Sequence, residues 1–81
     1  MNQQTYKVNA FWDTEAQVWV AESENIPGLV TEADTIEVLT EKLKKIIPEL
    51  LILNNVIDPE STDDIKFELI CNLQELIKIA G

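Results

Sequence analysis

The chain has 81 residues, 46% hydrophobic and 26% charged, and sets six lysines against fifteen acids for a net charge of −9, with neither arginine nor histidine. That is the composition of one folded domain, not of a disordered acidic tail. It excludes imidazole bases, histidine metal sites and the guanidinium forks that read phosphate or guanine, and the acidic balance repels a nucleic-acid backbone. The N-terminal Met1–Thr5 is polar and uncharged, unlike a secretory leader. Alternation begins at once: Tyr6, Val8, Ala10 and Trp12 share one parity, and Thr5, Lys7, Asn9 and Phe11 the other, the period of a half-buried strand. Asp13-Thr14-Glu15 is a polar turn, after which Val18 and Val20 alternate with Gln17, Trp19 and Ala21.

The register of this hairpin depends on its loop. An odd loop sets Val8 against Val20 and Ala10 against Val18, with all four on one face. An even loop sets Ala10 against Trp19 and mixes apolar with polar positions. The buried face decides register, so the odd loop is expected. It places Trp12, Tyr6 and Val8 in the core and Trp19 on the far face with Phe11, Ala21 and Ile70.

Ile26-Pro27-Gly28 is a turn signal, Pro fixing φ and Gly supplying a positive φ. Leu29–Glu32 reads as a short third strand. Asp34 as cap and Glu37 three residues on open a helix, in which Ile36, Leu39, Leu43, Ile46, Leu50 and Leu53 form a stripe of helical period. Glu41 and Lys45 supply an i,i+4 pair on its outer side. Pro48 removes the hydrogen bond to the carbonyl of Lys44, yet the stripe continues past it, which implies one kinked helix ending near Asn54-Asn55. Residues 54–64 form a polar loop. From Ile65 the alternation returns, with Ile65, Phe67, Leu69, Cys71 and Leu73 on one side of a fourth strand, and residues 74–80 fit either helix or strand. The order is β-β-β-α-β: an α+β, two-layer sandwich with one helix packed on a mostly antiparallel sheet, a single domain over residues 1–81.

The wording of the chain adds to these periods. Phe11-Trp12-Asp13-Thr14-Glu15-Ala16-Gln17-Val18-Trp19-Val20-Ala21 resembles the first hairpin of the HicB-like antitoxin superfamily. Ile26–Thr35 resembles its Pro-Gly turn, third strand and Asp-Thr helix start. Ile47–Leu51 is similar to the helix end of a group of short stand-alone domains of unknown function within it. The resemblance covers residues 6–53 and implies a partial ribonuclease-H-like fold. It also implies a protein that neutralises HicA, a small basic ribonuclease that cleaves messenger RNA. Two departures stand out. Full-length members carry a C-terminal DNA-binding module, for which the residues after the fourth strand leave no room. Many relatives have Gly at position 17, where this chain has Gln.

A ribonuclease-H-like fold invites a two-metal nuclease reading, which needs converging carboxylates. Asp13, Glu15, Glu22, Glu24, Glu32 and Asp34 are available, but turns and caps account for Asp13, Glu15, Glu24 and Asp34. Ser23, Thr31 and Ser61 lack a partner base. Cys71 on an apolar strand position is expected to be buried and inert. Asp63-Asp64 lacks the rest of a calcium loop. The expected protein is therefore cytoplasmic, non-catalytic, and without metal or cofactor. It meets a small basic toxin, binds no DNA or RNA directly, and associates with itself as a dimer or tetramer. The alternative is an orphan oligomeric domain of the same fold with no toxin partner, binding a small ligand. The apolar excess Ile46–Leu53 and the aromatics make Phe11, Trp19, Ile47 and Leu51 the interface candidates.

Overall fold

The computed structural model of the protein describes residues 5–60 and 64–79; Ser61, Asp63 and Ala80 lie outside them. The elements are β1 (Thr5–Asp13), β2 (Val18–Glu22), β3 (Val30–Ala33), α1 (Ile36–Leu53) and β4 (Lys66–Asn72). They make one helix on a four-stranded mixed sheet ordered β3-β2-β1-β4. β1 pairs antiparallel with β2, and β2 with β3, while β4 returns parallel to β1. The helix supplies the crossover that such a parallel return requires.

The hairpin register corrects the sequence expectation. Asp13 opposes Val18, leaving a loop of four residues, so Ala10 faces Ala21 and Trp12 faces Trp19. Turn chemistry selects this loop. Asp13 Oδ1 accepts from the backbone N–H groups of Glu15 (3.0 Å) and Ala16 (3.2 Å). The Gln17 N–H closes on the Asp13 carbonyl at 2.7 Å. Gln17 sits at φ 59°, a left-handed conformation that glycine adopts without penalty. The resulting parity turns Val18 and Val20 away from the helix and Ala21 toward it. Ala10, Ala21 and Ala33 are buried there, and their small side chains let the helix approach the sheet closely.

Ile26 and Leu29, both buried, bracket the turn that the Pro-Gly signal foretells. The Leu29 N–H donates to the Ile26 carbonyl at 3.2 Å and Gly28 lies at φ 83°, the geometry of a type II turn. Leu29 belongs to this loop, and the strand starts one residue later, at Val30.

The helix cap is Thr35, not Asp34. Its extended backbone (φ −131°, ψ 159°) lets Oγ1 accept from the Val38 N–H at 3.1 Å. Val38 thus occupies the position that Glu37 would need for a reciprocal capping box. Glu37 instead lies in the first turn, where a negative charge suits the helix dipole. The buried line along α1 is Leu39, Leu43, Ile47 and Leu51, an i,i+4 ridge that slants around a helix. Ile36, Ile46 and Leu50 flank it half-buried, and Leu53 is exposed. The helix runs through Pro48 to Asn54. Asn54 Nδ2 donates to the Leu50 carbonyl at 2.8 Å and to the Pro27 carbonyl at 3.3 Å, tying the helix end to the Pro-Gly turn. The ion pair on the outer side joins Glu41 to Lys44 at 3.1 Å instead of Lys45. It is solvent-exposed and contributes little.

Candidate interaction surface

With one helix on one side, the sheet has a second face that nothing among the described residues covers. Strand alternation and register decide what lies on it. Phe11 pairs with Val20 and, across β2, with Glu32. Asn9 pairs with Glu22 and with Ile70, and Lys7 with Glu68. Asp13 opposes Val18 and Thr5 opposes Lys66. Phe11 is 40% and Ile70 37% exposed, as diagonal neighbours on adjacent strands, while Val18 and Val20 are half-buried. The open face is therefore an apolar centre rimmed by Asp13, Glu22, Glu32 and Glu68, with Lys7 and Lys66 at one end.

Of the four interface candidates, the structure puts one on this face. Phe11 is there. Trp19 is not: it lies on the helix side, half-buried, its ring edge-to-face against Trp12 with centroids 5.5 Å apart, a favourable aromatic geometry. Ile47 and Leu51, at 1% and 0% exposure, are core residues. The helix that looks overfilled in apolar residues buries them against the sheet and the two buried residues of the Pro-Gly turn. The odd loop would set Val20 on the inner face with Val8, and its place beside Phe11 follows from the four-residue loop.

Of the polar residues singled out for chemistry, Ser23 and Asp13 hold backbone, beside Asn25 and Lys42. Ser23 Oγ donates to the Lys7 carbonyl at 2.6 Å, and Asn25 Oδ1 accepts from the Lys7 N–H at 2.9 Å. Together they satisfy β1 where β2 has already ended. Lys42 Nζ donates to the Glu32 carbonyl at 2.6 Å on the outer edge of the sheet. Asp13 holds its own turn. Among the described residues no group of three or more acids or thiols is placed to hold a metal ion. Cys71 corrects the expectation of burial: it is a free, exposed thiol. Its parity is that of the helix side, opposite Ala10, but α1 runs closest to β2 and β3 and does not reach over it. A hollow of about 500 Å³ at the end of β4 is lined by Phe11, Trp12, Thr14, Asn72, Leu73 and Gln74. No charged group converges there.

Residues 5–79 match the family model described as Domain of unknown function (DUF1902). The chain belongs to that family. A solved structure, the hypothetical protein TTHA1013 from the extremely thermophilic bacterium Thermus thermophilus, is 43% identical. The match covers 94% of this chain and 100% of that one, with a TM-score of 0.68. No curated protein matches the chain. No helix among the described residues is long and apolar enough to cross a membrane.

Proposed function

We propose that this DUF1902 domain is a non-catalytic protein-binding module, similar in action to a HicB antitoxin, that covers the surface of a small basic partner. The observation that carries this reading is the open sheet face. An apolar centre of Phe11, Val20 and Ile70 offers burial, and a rim of four carboxylates around it offers charge complementarity to a basic protein. Apolar anchors supply binding energy at the middle of an interface, while complementary charge speeds encounter and sets orientation. The whole-chain charge of −9 extends the same bias over the surface. The partial ribonuclease-H-like fold belongs to this reading through the HicB resemblance, as does an mRNA-cleaving, HicA-like toxin for partner. The domain acts in the cytoplasm, where such a toxin meets its messenger RNA.

Calorimetry with a tagged HicA-like small basic ribonuclease tests the proposal. Micromolar or tighter binding that weakens with added salt is expected, together with loss of RNA cleavage in the complex. Phe11→Lys combined with Val20→Lys should weaken binding at least tenfold while circular dichroism stays unchanged. A complex unaffected by that double variant, or no complex at low salt, overturns it.

A further inference from the structure

Residues 73–79 follow β4 without helix, strand or turn. Leu76 and Ile77 are each 83% exposed, and Ile79 is 89% exposed. Three large aliphatics in four residues, Leu76-Ile77-Lys78-Ile79, are costly to leave in water and are rich in strand-forming side chains. The family match nevertheless runs through them to residue 79. The molecule is correspondingly long, 61 × 24 × 19 Å with a radius of gyration of 15.5 Å, against about 12 Å for a compact chain of this length. Meanwhile β4 is an edge strand, hydrogen-bonded to β1 alone, and its outer row of N–H and C=O groups is a template for another strand. The helix side near it is loosely filled. A crevice of about 90 Å³ opens between α1 and β4, lined by Leu43, Lys44, Ile47, Pro48, Ile65 and Phe67.

We infer that the tail is the missing fifth strand of a second copy: two chains pair antiparallel along residues 67–79, each tail adding to the other's β4 edge about a two-fold axis at Leu73. The side chains select this register. With Leu73 opposite itself, Phe67 meets Ile79 and Leu69 meets Ile77 on the helix side, where the exposed Cys71 meets Glu75. On the open side Ile70 meets Leu76, Glu68 meets Lys78, and Asn72 meets Gln74. Apolar residues face apolar residues, and the one lysine of the tail faces a carboxylate. Slipping the pair by two residues one way sets Lys66 on Lys78 and Leu69 on Glu75. Slipping it the other way sets Ile70 on Lys78 and Leu73 on Glu75. A slip of one residue sends each tail side chain to the wrong face. The pairing is isologous, as a closed dimer requires, and joins two sheets into one while leaving the Phe11–Val20 centre free. It does not rest on the partner-binding proposal above, but it draws Ile70 and Glu68, at the β4 side of the open face, into the pairing.

Sedimentation equilibrium of the full chain at micromolar concentration should give twice the 9.2 kDa of one chain. Lys78→Glu should weaken the dimer roughly tenfold by setting two like-charged pairs across the axis, and adding Glu68→Lys should restore it. In a Cys71→Ser background, Leu73→Cys should form a disulfide-linked dimer on mild oxidation, since residues directly opposite lie within disulfide reach. Glu75→Cys should cross-link through the native Cys71 of the second copy. A single-chain mass throughout the concentration range overturns the inference. So does a dimer that survives removal of residues 74–81, or one in which neither cysteine variant cross-links.

Discussion

On the side of the sheet under α1, Tyr6, Val8 and Ala10 are buried and meet a helix ridge that is itself fully inside. One residue along the same strand, Lys7, Asn9 and Phe11 face outward and are exposed. The two faces share one backbone, so their difference comes from what covers them. Under the helix, side chains of different size have to fit together: three alanines at the sheet, four large aliphatics from the helix, and two tryptophans in edge contact at the rim. Close packing of this kind makes each atom's loss or gain felt. On the open face the same alternation makes only an apolar centre and a carboxylate rim, with nothing yet packed on it. One face holds the fold together, and the other is available for binding.

Substitutions can break this contrast. The largest effect is expected from Leu43→Ala, which empties a fully buried position in the middle of the ridge. It should cost about 2–5 kcal/mol, measured by urea unfolding at one fixed protein concentration. Ala21→Leu should come next. Ala21 is fully buried where the helix comes down on the sheet, and a larger side chain there forces strain of about 1–3 kcal/mol. The sign is informative, because the odd-loop register would place residue 21 on the open face and make this change harmless. Smallest is Phe11→Ser, expected to cost about 0.5–1 kcal/mol through the lost cross-strand contact with Val20, although it removes an aromatic ring. A loss of several kcal/mol there would mean that the open face is packed in the folded protein after all.

The tail and the hairpin show where sequence reading reaches its limit. The succession of elements along the chain, the Pro-Gly turn, the helix and its passage through Pro48 were all legible, because each rests on interactions between residues close along the chain. The order of strands within the sheet, with β4 returning parallel to β1, was not. A turn between Ile26 and Leu29 needs only Pro27 and Gly28. The apolar period of the helix and the alternation of the strands repeat in the amino acids themselves. The cap was legible to within one residue, since Asp34 and Thr35 are both suited to it and the backbone at Thr35 decides between them.

Faces and burial were decided by the tertiary structure. The apolar alternation along Trp12–Trp19 does not say that two tryptophans oppose each other. That follows from a loop closed by the Asp13 carboxylate and from a helix that accepts alanines beneath it. Ile47 and Leu51 looked like surplus apolar surface because a period counts residues and not the room available, and the sheet with the Pro-Gly turn provides room for both. Cys71 has the alternation of a buried residue, yet α1 lies over other strands and leaves it in solvent. Local chemistry acts between neighbours and is written in their order. Burial depends on which distant surfaces meet, and the meeting of one helix with this sheet left the end of β4 from Ile70 to Asn72, and residues 73–79, exposed.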